Sequence, residues 1–422
     1  MRIGTYVVAL FSLVGMVSPA TAADSPTFNK DVAPIMYRSC VQCHRAGSMA
    51  PMSLMTYAEV RPWARAIKQR VVRREMPPWH ADPAHGKFLN DISLKPSEIA
   101  TISAWVDAGA QEGDARDLPA APTFAEGWSI GKPDLVFKML EPFEVPADGA
   151  VPYLYVTVPT NLKEDVWVRG IELKPSDRRV VHHIIADVVP GDGQPIDPKP
   201  RLTRDRGQQG FSGNFAGYVP GRVYDVFEEG VARRIPAGSL IVLQMHYTTI
   251  GHPTPDQTEI GVILAREPPS RLRAGGGGQL PNLTFVIPPG DPNYEVTAQQ
   301  TFDRDSYLSS VYPHMHVRGK DATYTLIYPD GREEIVLRVP KYDFNWQTSY
   351  RLAEPIFMPK GSTLKIVAHF DNSAANKFNP DPRAEVRWGD QTWEEMLIGY
   401  FGTVEVKPGA PAPQSDQPRR QP

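Results

Sequence analysis

Val180-Val181-His182-His183-Ile184-Ile185-Ala186-Asp187-Val188-Val189 is an almost continuous apolar, β-branched run broken by two adjacent histidines. A short run of this composition reads as a buried strand. Side chains alternate across a strand, so His182 and His183 face opposite sides unless the strand twists, bulges or ends there. Similar runs recur at Val151 to Val158, Leu240 to Tyr247, Leu308 to Tyr312, Ala322 to Tyr328 and Thr363 to Phe370. From Phe124 onward the pattern is therefore all-β, and the 43 prolines and 33 glycines of the chain supply its turns. Arg266 to Asn282, with Pro268, Pro269 and the run Gly275 to Gly278, divides this region into two pieces. Each has the size of a sandwich or jelly-roll domain.

Upstream the period changes. Val60, Trp63, Ala64, Ile67 and Val71 fall at helical spacing, as do Ile99, Ile102, Trp105 and Val106 after Pro96-Ser97-Glu98. The segment also holds both cysteines of the chain, in Cys40-Val41-Gln42-Cys43-His44. C-x-x-C-H is the attachment pattern of a c-type haem, in which each thiol adds to a vinyl group and the histidine ligates the iron. Met76, in the loop Met76-Pro77-Pro78-Trp79-His80, is the expected sixth ligand. Met49, Met52, Met55, His80 and His85 remain alternatives. Haem motif, methionine loop and last helix follow the order of small class I cytochromes c.

The expected fold class is thus multidomain, a small all-α cytochrome c domain followed by two all-β jelly-roll domains. The expected boundaries are 1–22 for a signal peptide, 25–114 for the cytochrome c domain and 115–123 for a linker. A first jelly roll over 124–266, a Pro/Gly-rich linker over 267–282, a second jelly roll over 283–406 and a disordered tail over 407–422 follow.

Arg2, the apolar run from Tyr6 to Val17 and Ala20-Thr21-Ala22 read as a secretory signal too short to span a bilayer. Export suits covalent haem, so a periplasmic location is expected, with no membrane span after cleavage. The net charge is −3, and removing Arg2 makes it −3 minus 1, or −4. That balance, with no basic run, argues against a nucleic-acid partner.

Three strand-borne histidine clusters carry the metal chemistry: His182-His183, Gln244-Met245-His246-Tyr247 and His314-Met315-His316. Neutral imidazoles are good ligands for copper, zinc and iron. His314 and His316, two apart, share a strand face and can converge on one ion while Met315 points away. His252 and His369, taken singly, read as ordinary histidines.

The order His-His, Gln-x-His-Tyr, His-x-His-x-x-Gly (His314 to Gly319) and Glu394-Glu395-Met396 resembles the copper type II, ascorbate-dependent monooxygenase family over about residues 125 to 405. Peptidylglycine alpha-hydroxylating monooxygenase and dopamine beta-monooxygenase belong to that family. The resemblance implies two jelly rolls, each with one copper, facing each other across a solvent-filled cleft. It implies that His182, His183 and His246 hold an electron-transfer copper. It assigns His314, His316 and Met396 to the copper that activates dioxygen. Gln244 would act behind the first ligand set, and Tyr400 would contact substrate. A thioether favours copper(I), which makes Met396 the discriminating ligand.

Family members that act on peptidyl-glycine carry an arginine two residues before the His-x-His and an asparagine two after the methionine. Here those places hold Tyr312 and Ile398, and a carboxylate-terminated peptide is not the expected substrate. The expectation is an exported monooxygenase that hydroxylates a C–H bond of a small organic molecule with O2. Haem c would relay electrons to the histidine-only copper from a cytochrome, quinol-linked or ascorbate-like donor. The alternative is a haem c/copper electron carrier or copper-binding protein without oxygenase activity.

Overall fold

The structure, a computed structural model, describes residues 25–124, 127–202, 215–219, 224–227, 231–266, 271–272 and 278–405. The expected signal peptide and the expected tail lie outside the described residues, as does part of the linker expected over 267–282.

The four larger sheets of the described residues pack as two pairs. In the first pair, the sheet Leu154–Pro159, Leu240–Tyr247, Val181–Val189, Ala216–Tyr218 lies against one built on Glu259–Leu264, Val166–Lys174 and Val231–Ile235. The alternate residues Ile241, Leu243, Met245 and Tyr247 meet Val168, Ile171, Ile260 and Val262 in the core between them. In the second pair, Gly278–Asn282, Leu397–Glu405, Ser306–His314, Tyr350–Met358 form one sheet. The other runs Tyr294–Thr301, Thr363–Phe370, Gly319–Ile327, Glu333–Val339. Their core gathers Leu308, Val311, Tyr324, Ile366, Leu397 and Phe401. Burial of such side chains, at roughly 1.5–3 kcal/mol each, holds each pair together.

The expectation that the chain opens with a small all-α cytochrome c domain needs correction. The N-terminal segment contains only short helices, Ala33–Ser39, Tyr57–Val60, Ala64–Val72 and Pro96–Asp107. They enclose a small cluster around Phe28, Met36, Ile102 and Trp105. The stretch between the last two helices leaves this cluster and joins the second pair of sheets. Phe88 bridges to Leu352, the Leu89 N–H donates to the Arg351 carbonyl at 2.8 Å, and the Ala353 N–H donates to the Lys87 carbonyl at 2.8 Å. Trp79 and Phe88 pack on Tyr350, with ring centroids 5.0 and 5.4 Å away. Trp79 and Phe88 thus lie on a sheet edge, while Phe28, Tyr57 and Trp105 stay with the helices. No helix of the described residues is long and apolar enough to cross a membrane.

Candidate metal centres between the sheets

The strand Leu240–Tyr247 is buried along its whole length, although only alternate residues reach its own core. Its other face, carrying Gln244 and His246, is therefore covered by something else. The second pair of sheets shows the same sign. Leu397 and Phe401 enter its core, while Met396, Ile398 and Tyr400 form a separate buried cluster with Tyr312 and Trp388. The two outward faces meet, and the histidines lie where they meet.

A bulge brings the first set together. Pairing with Leu240–Tyr247 shifts register between Val181 and His183. Ile184 and Ala186 stay in the core, Val181 does too, and the extra residue turns both His182 and His183 outward. His183 pairs directly with His246. The Nδ1 atoms of His182 and His246 each lie 3.2 Å from Nδ1 of His183. One ligand atom from each of the three histidines can be chosen so that all lie within 4.8 Å of one another. Two nitrogens about 2.0 Å from one ion at a tetrahedral angle sit about 3.3 Å apart, so the spacing suits a shared metal. Gln244 donates from Nε2 to the hydroxyl of its cross-strand partner Tyr155 at 2.6 Å.

In the second set, His314 ends the strand Ser306–His314 opposite Ile398, and its ring centroid lies 5.3 Å from that of His316. Met396 immediately precedes the strand Leu397–Glu405 and is 3% exposed. Each imidazole is oriented through Nδ1. His314 donates to Oε1 of Gln347 at 2.6 Å, and His316 donates to the Glu394 carbonyl at 3.3 Å. Both Nε2 atoms are thereby left to act as acceptors or ligands. That of His316 is buried with no hydrogen-bond partner among the described residues. It is free to take a ligand, and Nε2 of His182 is buried in the same state.

Burial lowers His182 and His314 to about 4 and His316 to about 3. It also takes His183 and His246 well below the usual imidazole range. All five are neutral near pH 7, the form that binds metal. Glu395 sits beneath the second set: its carboxylate accepts the N–H groups of His316 at 2.8 Å, Arg318 at 2.6 Å and Met396 at 3.2 Å. Burial pushes that carboxyl up to about 8, against the pull of these N–H groups and of Arg318.

Tyr400 stacks on Tyr312 with centroids 5.3 Å apart, and its ring lies 6.2 Å from that of His314. Both tyrosines line a cavity of about 80 Å³ between the sheet pairs, together with His314, His183, Ile184 and Arg233. Sequence reasoning did not find Gln347, Tyr153, Phe344 or the role of Glu395. The sole cue was the position of Glu395 beside Met396.

At the N-terminal motif, Cys40 and Cys43 sit on one turn, the N–H groups of Cys43 and His44 donating to the Cys40 carbonyl at 3.1 and 2.9 Å. The two cysteines are unpaired, and burial pushes the Cys40 thiol up to about 12. His44 donates from Nδ1 to the Met52 carbonyl at 3.3 Å, which leaves Nε2 for an iron. This donor set fits a covalent haem. Met76 is half-buried just beyond the helix Ala64–Val72, its N–H directed to the Arg70 carbonyl at 3.4 Å. His80 is half-buried on the same loop. His369 donates from Nδ1 to Asp321 at 2.7 Å, and His252 is exposed.

No family model matches the chain, and no curated protein does. Among solved structures, an oxalate decarboxylase variant from Bacillus subtilis is 8% identical, covering 68% of this chain and 80% of its own, with a TM-score of 0.14. A structure of the Gt strain of infectious bursal disease virus is 10% identical, covering 66% and 73%, with a TM-score of 0.14. Likenesses at these scores establish no shared fold and carry nothing to the site.

Proposed function

We propose that the chain is an exported copper-dependent monooxygenase, which hydroxylates a C–H bond of a small organic molecule with O2. The observation that supports this most is the meeting of a three-nitrogen set with a second histidine pair, the His183 and His314 rings 6.5 Å apart, beside a cavity that both of these line. His182, His183 and His246 would hold one copper through Nδ1, and His314, His316 and Met396 the other. Cys40, Cys43 and His44 would hold a haem c that feeds electrons in one at a time.

Copper, when bound, supplies reduction of O2 and attack on the C–H bond. The residues do the rest. Gln347 and the Glu394 carbonyl hold the Nδ1 protons of His314 and His316, so that both Nε2 lone pairs stay free for a ligand. The Met396 thioether favours the reduced metal. Tyr153 and Phe344 keep water from the imidazoles, whose ring centroids they approach to 4.6 Å (Tyr153 to His246) and 5.4 Å (Phe344 to His182). The stacked Tyr312 and Tyr400 give a substrate an aromatic wall beside His314.

The test is substrate-stimulated oxygen uptake with incorporation of labelled oxygen, repeated with Met396→Ile. The variant is expected to lose at least about 100-fold in oxygenation, a loss of ligand being costlier than that of a supporting hydrogen bond. Its haem spectrum should be unchanged. Oxygenation at the native level in Met396→Ile would remove the methionine from the site.

The enclosed contact between the two sets favours a second reading, an electron carrier in which haem and copper exchange electrons without oxygenation. Reduction and reoxidation of the metals with no labelled product, across a panel of small organic substrates, would select it.

A further inference from the structure

The segment that carries the haem motif holds more than its own helices. Between the helices Ala64–Val72 and Pro96–Asp107 it runs along the second pair of sheets as a strap. The strap lies on Tyr350–Met358, the strand that ends its sheet. At Gly86, where φ is +73°, it passes so close that a Cβ would lie 2.6 Å from the Val336 carbonyl oxygen.

The strap grips both ends of one loop, 340–349, which joins the strands Glu333–Val339 and Tyr350–Met358. Beside the loop's entry, the Asp82 N–H donates to the Arg338 carbonyl at 2.8 Å, and the Asp82 carboxylate lies 3.9 Å from the Arg338 guanidinium. At its exit, Asn90 engages the main chain with both ends of its amide. Nδ2 donates to the Ser349 carbonyl at 2.8 Å, and Oδ1 accepts the Arg351 N–H at 3.0 Å. One side chain thus satisfies the backbone on either side of Tyr350, as a further strand would satisfy a sheet edge.

The gripped loop is also the one that reaches the histidines. The Tyr342 hydroxyl donates to the Met315 carbonyl at 2.7 Å and accepts the Met315 N–H at 3.2 Å, between His314 and His316. The Phe344 ring lies 5.4 Å from that of His182 and 6.1 Å from that of His316, centroid to centroid. Gln347 is 2% exposed, and its Oε1 accepts both Nδ1 of His314 at 2.6 Å and the Tyr312 hydroxyl at 2.7 Å. Ser349, two residues further on, is the point that Asn90 holds.

We propose that Asn90 is a positioning residue for the second metal set: from within the haem-bearing segment it fixes the end of the loop 340–349, and through Gln347 it sets the orientation of the His314 imidazole. This rests on the reading of His314, His316 and Met396 as a copper site. Asn90 restricts where the Gln347 amide can stand, so that the His314 Nδ1 proton stays held and Nε2 stays turned to a ligand. Docking of the haem-bearing segment and shaping of the second set are then one event.

The test titrates copper(I) into the full chain with its haem, against a competing chelator, for the native protein, Asn90→Ala, Gln347→Ala and the double variant. Gln347→Ala is expected to weaken one of two copper affinities by about 10–100-fold, as loss of a partner behind a ligand does. Asn90→Ala should weaken the same one by about 10-fold, the low end of that range, because it acts at one remove. Added to Gln347→Ala, it should cost almost nothing more, since the residue it acts through is gone. Losses that add, or an Asn90→Ala chain with both affinities native, would overturn the positioning role and leave the copper reading intact. Fewer than two coppers in the native chain would overturn the reading on which it rests. Should Asn90→Ala fail to fold, Asn90→Asp decides, because it keeps the acceptor for the Arg351 N–H and loses the donor to Ser349: native copper affinities in that chain contradict the proposal.

Discussion

Glu395→Ala is expected to destabilise the second pair of sheets by about 3 kcal/mol or more, read as a fall in the denaturation midpoint. Its carboxyl group is fully buried and accepts three peptide N–H groups, those of His316, Arg318 and Met396. Truncation leaves these donors without an acceptor, and each buried unsatisfied group costs about 1–3 kcal/mol. It also leaves the Arg318 guanidinium, 1% exposed, with hydrogen bonds to Asn372 and the Trp393 carbonyl but no neighbouring carboxyl at Glu395. Glu395→Gln, which keeps one acceptor oxygen, should lose less. The same three bonds fasten the peptide groups of two proposed ligands, so copper at the second set should be lost together with stability. A Glu395→Ala chain with the native midpoint would show that these N–H groups find other partners.

His183→Ala is expected to remove one copper of two and to lower the affinity of the first set at least about 100-fold, more than is usual for an orienting neighbour. His183 is the middle member of its set: its Nδ1 is the one within 3.2 Å of both others. Truncation leaves His182 and His246 as a two-nitrogen site in an enclosed pocket that offers no replacement donor on that strand. Turnover with any external electron donor should fall by a similar factor, because the proposed route enters through this set. His252→Ala, at an exposed ring, should change neither copper content nor turnover. Retention of both coppers by His183→Ala, measured by metal analysis after dialysis, would contradict the assignment of the set.

Much of the site geometry follows from period-two reasoning. Adjacent His182 and His183 can share a face only if their strand twists, bulges or ends there, and a register shift lies between Val181 and His183. Alternation likewise puts Met396, Ile398 and Tyr400 on the face opposite Leu397 and Phe401. What alternation does not give is which loop covers that face. Gln347 and Phe344 come from the segment before Tyr350–Met358, and Tyr153 comes from the approach to Leu154–Pro159. Their roles depend on contacts between residues up to about 240 positions apart, such as Tyr153 with Gln391, and no local pattern encodes those.

The N-terminal segment shows the opposite failure. Helical spacing at Ala64, Ile67 and Val71 is real, and all three are buried within the small helical cluster. Helices this short gain their stability from packing rather than from propensity. Trp79 and Phe88 lie between the two helical runs, where no local period says what they pack on. In the fold they lie against Tyr350.

The central claim, that His182, His183, His246, His314, His316 and Met396 hold two coppers, is tested most directly by X-ray absorption at the copper edge of the reduced, two-copper protein. The account predicts mostly imidazole scatterers plus one sulfur for every two coppers, bound to one of them and absent in Met396→Ile. A native spectrum with nitrogen and oxygen scatterers alone would contradict it.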